Sequence, residues 1–139
     1  MSTGRPGLRQ AGLRQVEARR ASYCSMVHDL LRVLTVEELA PAVGVRERQV
    51  RHWAAGDHAP YGRARERLEA VSRLVGALYG AYSEAGARAW LHWPNNRLGG
   101  RSPVDALADG EHVAVVEAAR HLPVLRWPGT LRYEREGAT

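Results

Sequence analysis

Apolar residues in this chain recur at helical spacing, in short runs that glycine and proline separate. Spacing of three and four residues places side chains on one face of an α-helix. No run alternates with period two for long enough to make a convincing strand, and the nearest approach is residues 131–133. The sequence therefore predicts an all-α fold. Two apolar stripes carry this prediction: Val16, Tyr23, Val27, Leu30, Leu31 and Leu34, and then Leu68, Val71, Leu74, Val75, Leu78 and Tyr79.

Capping residues set the predicted helix boundaries. Thr35 and Glu38 have the spacing of a capping box, Ser83 is placed to cap a helix, and Ser102 precedes Pro103 at a first helical position. Glycines and prolines mark the helix ends: Gly44, Gly56, Pro94, Gly110 and Pro123. These signals predict helices that begin near residues 16, 36, 46, 62, 84, 103 and 111, the last of them reaching residue 122.

Composition excludes several classes of protein. The hydrophobic fraction of 45% is too high for a disordered chain. No stretch approaches 18 uncharged apolar residues, so no transmembrane helix is expected, and residues 1–20 lack the apolar segment of a signal peptide. A single cysteine, Cys24, cannot form an internal disulfide. The expected compartment is a reducing cytoplasm.

The basic charge is concentrated near the N-terminus. All 20 basic residues are arginine, and the net charge is +5. Residues 1–32 hold six arginines against two acids, whereas residues 76–139 hold seven against seven. A GC-rich genome would also favour arginine, so position is more informative than number. Residues 1–15 are predicted to form a disordered arginine-rich arm, and the basic balance favours nucleic acid or an acidic protein as partner.

Residues 36–53 have the pattern of a helix-turn-helix. Leu39 and Val43 are predicted to face inward, with the small Ala40 at the close approach of two short helices and Gly44 in the turn. Val45, Val50 and Trp53 would anchor the second helix. Arginine binds phosphates or guanine edges, and glutamine reads adenine. The outward residues of this second helix are therefore the predicted DNA contacts: Arg46, Glu47, Arg48, Gln49, Arg51 and His52.

The spacing in this segment resembles the helix-turn-helix of the Xre family over about 20 residues. An ordinary helical hairpin with a charged, solvated face is the alternative. Pro41 removes a backbone donor inside the first helix, and Glu47 places negative charge on the face meant for phosphates. DNA binding would therefore also depend on dimerisation and on the arginine-rich arm.

Residues 88–122 contain the most specific pattern. A helix ends in tryptophans, a Pro-Asn-Asn break follows, and a Gly-Gly pair predicts a tight loop pinned by aromatic packing. This order looks like the toxin-binding domain of the Xre/MbcA/ParS-type antitoxins. The matching positions are Trp90, Leu91, Pro94, Asn95, Leu98, Gly99, Gly100, Ser102, Pro103, Asp105, Ala106 and Leu107.

The resemblance, which covers about residues 20–122, implies a function and a division of the chain. Such antitoxins bind RES-domain toxins that deplete NAD, hinder access to the toxin active site, commonly repress their own promoter, and tend to dimerise. Residues 16–82 would form the helix-turn-helix and dimerisation region, residues 83–122 the toxin-binding domain, and residues 123–139 a tail. The candidate toxin contacts are Trp90, Trp93, Asn95, Arg97, Leu98, Gly99, Gly100, Arg101, Arg126 and Trp127.

The tail departs from the family pattern. Related sequences often end the last helix with a glycine, whereas here residues 122 and 123 continue into a tail rich in arginine and aromatic residues. These residue types are enriched at interface hot spots. A tail that orders on the toxin and a simply disordered terminus both fit this composition.

No residue pattern predicts catalysis, a metal or a cofactor. The six histidines never fall at ligand spacing with cysteines or carboxylates, and Cys24 is expected to be a small packed residue. The NAD chemistry that the family implies belongs to the partner. Two alternatives to an antitoxin remain: a stand-alone Xre-family transcription regulator, and a pure protein-binding inhibitor whose helix-turn-helix is vestigial.

Overall fold

A computed structural model describes residues 4–122, and their side chains from residue 9 onward. This part is all helical and contains no strand, which confirms the predicted all-α class. None of its helices is long and apolar enough to cross a lipid bilayer. The elements are α1 (Gly4–Leu30), α2 (Val36–Val43), α3 (Glu47–Ala54), α4 (Gly62–Ala81), α5 (Glu84–His92), a 3-10 turn (Asn96–Leu98), α6 (Pro103–Ala108) and α7 (His112–Ala119).

One apolar core joins the described helices. Helix α2 packs against α3, α4 and α6, while α4 also contacts α1, α5 and α7. The core therefore crosses the predicted boundary between the helix-turn-helix region and the toxin-binding region. The predicted stripe on α4 is buried from Leu68 to Leu78, and Tyr79 lies at its exposed edge. The fully buried side chains include Val27, Leu30, Leu39, Val50, Trp53, Leu68, Leu78, Leu91, Leu107 and Val115.

The predicted capping residues are confirmed. Oγ1 of Thr35 accepts a hydrogen bond from the backbone N–H of Glu38 at 3.1 Å, and Oε1 of Glu38 accepts one from the N–H of Thr35 at 2.8 Å. Ser83 caps α5 and Ser102 caps α6, each through its hydroxyl oxygen. These side chains satisfy N–H groups that have no partner within the first turn of a helix.

Helix α1 differs from the prediction at its N-terminal end. The sequence predicted a disordered arm followed by a helix from Val16, whereas α1 already begins at Gly4. Every residue from 9 to 22 is exposed, including Val16, so its predicted place in the core stripe is wrong. Arginine, glutamine, alanine and leucine dominate this segment and favour helix, so the helix continues from its buried end without packing.

The C-terminal end of the described part is also shorter in helix than predicted. Helix α7 ends at Ala119 rather than at residue 122. The tail of residues 123–139, with Arg126, Trp127 and the strand-like residues 131–133, lies outside the described residues.

Candidate functional site

Helices α2 and α3 form the two short helices predicted for residues 36–53. Leu39, Ala40 and Val43 are buried on α2, and Val50 and Trp53 are buried on α3. The turn between the helices depends on a glycine with φ of 83° at position 44, whose N–H donates to the carbonyl of residue 40. A left-handed backbone of this kind strains any residue with a Cβ. The predicted inward-facing residues are therefore in place.

The outer side of α3 carries the predicted DNA contacts. Arg46, Arg48 and Arg51 are exposed, and Arg46 lies at the N-cap position just before the helix. Nη2 of Arg51 donates to Oε1 of Glu47 at 3.1 Å. Glu47 thus neutralises Arg51, whereas Arg46 and Arg48 have no carboxylate within ion-pair distance among the described residues. Two of the three arginines therefore keep an uncompensated charge.

A groove of about 560 Å³ lies between α3 and the start of α4. Its lining includes Gln49 and His52 of α3 and His58 and Tyr61 of the following turn. The rings of His52 and His58 meet edge to face at 5.2 Å, and Nδ1 of His52 lies 3.4 Å from Oδ2 of Asp57. The helix and the turn thus form one continuous surface.

Tyr61 is a surface residue that the sequence reasoning missed. Its side chain is 84% exposed and lines the groove next to Gln49. The available signal was its position between Pro60 and Gly62, because a tyrosine in such a turn is expected at the surface rather than in the core. This residue extends the α3 surface beyond the helix.

The loop of residues 93–101 is organised around Asn95. Its Oδ1 accepts from the N–H of Arg97 at 2.9 Å, and its carbonyl accepts from the N–H groups of Leu98 at 3.0 Å and Gly100 at 2.9 Å. Its own N–H donates to the carbonyl of Arg101 at 3.0 Å. One residue therefore closes the loop from both sides, as the predicted tight turn requires.

The Gly-Gly pair adopts the left-handed backbone conformation that the tight loop needs. Gly99 and Gly100 have φ of 70° and 86°, and a Cβ on either would meet no atom within 4 Å. The space is open, so the requirement for glycine comes from the left-handed backbone alone. Two such residues in succession bend the chain back toward Asn95.

The predicted toxin contacts divide into exposed and buried side chains. Trp93 is 61% exposed and Arg97 is exposed, so both project from the loop. Trp90 and Leu98 are only 5% and 3% exposed, so they support the loop from inside the core. The polar and apolar candidates of this segment thus lie together, but not all of them at the surface.

Arg101 fixes the loop to the rest of the fold. Its Nε donates to the carbonyl of Leu98 at 3.1 Å, and its Nη1 lies 2.8 Å from Oδ2 of Asp109 and forms an ion pair with Glu111. The hydrogen bond from Arg101 lowers the pKa of the Glu111 carboxyl. Its guanidinium is therefore already engaged within the chain.

Two histidines connect this region to α2. Nε2 of His92 lies 2.7 Å from Oε2 of Glu38, and its Nδ1 donates to the carbonyl of Arg88 at 2.7 Å. Both ring nitrogens thus lie within hydrogen-bond distance of an oxygen atom. At the other end of α2, Nε2 of His112 donates to the carbonyl of Ala42 at 2.5 Å. Histidine side chains therefore contact α2 at both of its ends.

The cysteine of α1 also has a hydrogen-bond partner within the fold. The thiol of Cys24 is half-buried and donates to the carbonyl of Ala54 at 3.1 Å. Within residues 4–122, no three histidine, cysteine or carboxylate side chains gather as a metal site would require.

Comparison with known proteins places these features in context. No family model matches the sequence. A probable mycobacterial cidal antitoxin of Mycobacterium tuberculosis is 34% identical over 102 residues, which cover 72% of this chain and 87% of that protein. The mycobacterial cidal antitoxin MbcA, from Mycobacterium tuberculosis and Mycobacterium bovis, is 32% identical over 83 residues, 60% of this chain and 74% of MbcA.

One solved structure is similar in fold. A chain of the crystal structure of the M. tuberculosis MbcT–MbcA toxin–antitoxin complex has a TM-score of 0.57 and 29% identity. The match covers 70% of this chain and 89% of that chain.

Proposed function

We propose that this chain, which belongs to the family of the MbcA antitoxins, binds and neutralises a RES-domain toxin that depletes NAD. In this proposal it acts in the cytoplasm, hinders access to the toxin active site, and has no catalytic activity or cofactor of its own. Together with the toxin it represses its own promoter through α2 and α3. The family resemblance implies a homodimer, and the proposal includes this oligomeric state.

The exposed, preformed loop of residues 93–101 is the observation that supports toxin binding. Trp93 and Arg97 project from a backbone held by four hydrogen bonds to Asn95. Tryptophan and arginine are the residue types most enriched at interface hot spots. A loop that is already ordered loses little conformational entropy on binding.

The charge of α3 supports DNA binding less strongly. Arg46 and Arg48 are exposed and uncompensated, which suits contacts to phosphates or bases. The Glu47–Arg51 pair removes one positive charge from the same surface. That pair favours the second candidate, a pure protein-binding inhibitor, so DNA binding needs its own measurement.

Co-expression with a RES-domain protein encoded in the same genome tests the proposal. The wild-type chain should co-purify with that protein and prevent the loss of cellular NAD. The double variant Trp93→Ala/Arg97→Ala should lose both effects while remaining folded. Tyr79→Ala/Arg73→Ala, which removes a tyrosine and an arginine from the exposed side of α4, is the matched control and should retain both.

Each outcome separates the candidates. If the wild-type chain neither binds the RES-domain protein nor preserves NAD, toxin neutralisation is wrong and a stand-alone regulator is favoured. If it binds the toxin but does not bind DNA from directly upstream of its own gene, with or without toxin, it is a pure protein-binding inhibitor. If the Trp93 and Arg97 variant still neutralises, the loop is not the toxin contact.

A further inference from the structure

We infer that the protein has a second surface for duplex DNA, next to α3. On this surface, phosphates of the DNA backbone beside the α3 contact lie between the exposed half of α1 and the turn that carries Tyr61. We call this surface the arm groove. It is lined by Val16, Arg19 and Arg20 of α1, by Gln49 of α3, and by His58 and Tyr61 of the turn. The inference rests on the DNA-binding part of the proposed function and names a further contact for the same ligand.

The arm groove is continuous with the α3 surface. Its volume is about 430 Å³, and the groove between α3 and α4 has about 560 Å³. Gln49, His58 and Tyr61 line both of them. A DNA strand that leaves α3 on this side therefore meets α1 next.

The lining of the two grooves is positively charged. It includes four arginines and two histidines, and no aspartate or glutamate: Arg19, Arg20, Arg46, Arg48, His52 and His58. The nearby carboxylate of Asp57 faces His52, and that of Glu47 faces Arg51. A polyanion matches this surface, because arginines without a carboxylate partner gain the most from a phosphate.

The shape of α1 favours DNA over a second copy of the chain. Residues 9–22 are all exposed and hold four arginines against one acid, Glu17. Fourteen helical residues span about 21 Å at 1.5 Å per residue. A helix of this length can lie alongside several phosphates of a DNA strand. Leu13 and Val16 are the large apolar residues exposed there. Two copies of residues 9–22 side by side would bring eight arginines together.

The arm groove should strengthen DNA binding without selecting a sequence. Phosphate contacts position a protein on the duplex, and base contacts select the site. Each phosphate that is neutralised adds about 0.9 to the slope of log affinity against log salt. Replacing Arg19 and Arg20, which line the arm groove, should therefore change affinity and salt dependence, but not sequence preference.

Binding titrations of the full chain test this separation. The probes are a labelled duplex from directly upstream of its own gene and a scrambled duplex of the same composition, each at several salt concentrations. Arg19→Gln/Arg20→Gln should weaken binding to both duplexes about tenfold and lower the salt slope by about two. Arg46→Gln/Arg48→Gln should instead reduce the preference between the duplexes. Arg73→Gln/Arg120→Gln removes two charges elsewhere and is the matched control.

The result that overturns the inference is distinct from failure of the proposed function. If the wild type prefers its own duplex and Arg19→Gln/Arg20→Gln behaves like the control, the arm groove is wrong and DNA binding stands. If the wild type binds neither duplex, DNA binding fails and the arm groove with it. If Arg19→Gln/Arg20→Gln changes the molar mass that light scattering measures for the wild type, this part of α1 contacts a second copy of the chain and the inference is also overturned.

Discussion

Nε2 of His92, the last residue of α5, lies 2.7 Å from Oε2 of Glu38 in the first turn of α2. The loop with Trp93 begins at the next residue, so this contact joins the candidate toxin surface directly to the helix that precedes α3. His112 holds the opposite end of α2 through the carbonyl of Ala42. Side chains from the C-terminal half of the described chain therefore contact both ends of α2.

The Glu38 contacts predict a pH dependence of stability. Burial acts to raise the pKa of Glu38, but the hydrogen bonds from Thr35 and His92 outweigh it and hold the pKa below its ordinary 4.5. A carboxyl with a lowered pKa stabilises the fold above that ordinary value, and the contribution is lost as the pH falls through the folded pKa. Glu38→Gln should lower the free energy of unfolding by about 0.5–1.5 kcal/mol at neutral pH and should remove this part of the acid dependence.

Urea denaturation at several pH values measures this effect. Glu37→Gln, a substitution on the exposed side of the same turn, is the control and should keep the acid dependence of the wild type. If Glu38→Gln loses stability on acidification as steeply as the wild type, the contacts of the Glu38 carboxylate with Thr35 and His92 do not cause the acid dependence.

Gly99 and Gly100 are expected to tolerate no side chain. Alanine at either position should lower stability by about 1–2 kcal/mol, because each backbone is left-handed. Gly76→Ala, within α4, has open space and an ordinary helical backbone, and should raise stability by about 0.8 kcal/mol. Thermal unfolding of the three variants gives the comparison. Equal Tm values for Gly99→Ala and the wild type would show that the loop relaxes to another turn.

Arg101 should control the mobility of the loop. Its side chain bonds to Leu98, Asp109 and Glu111. In Arg101→Gln the backbone N–H groups of the loop, that of Gly100 above all, should exchange with solvent faster, while global stability changes little because the ion pairs are partly exposed. Hydrogen exchange measured by NMR would show this effect. Arg120→Gln, which removes a longer contact to Glu117 at 3.7 Å, should leave the loop unchanged; equal exchange in both variants would contradict the assignment.

A chain that ends at residue 82 should lose cooperative folding. Helix α2 packs on α6, and both of its ends bond to histidines beyond that point. Removing α5–α7 takes away the surface that α6 packs against α2, and each large apolar side chain that becomes exposed costs about 1.5–3 kcal/mol. Circular dichroism during heating would show a broad, shallow transition in place of a sharp one. A sharp transition at the temperature of the full chain would show that the N-terminal region folds independently.

Local signals explain what the sequence could predict. Thr35, Ser83 and Ser102 act within three residues of themselves, and Gly44 determines its own turn, so pattern alone located α2, α3, α5 and α6. Apolar spacing likewise identified the buried face of α4.

Contacts between distant residues explain what it could not. His92 and Glu38 are 54 positions apart, and His112 and Ala42 are 70 apart, so no spacing rule relates them. Trp90 is buried whereas Trp93 is exposed, and this difference also depends on where α5 meets the core. The length of α1 was missed for another reason: its exposed half depends on helix propensity without any apolar face.

The exposed half of α1 has a consequence for how such chains evolve. Because no residue from 9 to 22 is buried, substitutions there leave the stability of the fold almost unchanged. Selection on folding therefore does not restrain this segment as it restrains Trp53 or Gly99. We expect duplicated copies within one genome to diverge first in this segment, so that sister proteins come to differ in the charge of α1 while still folding alike.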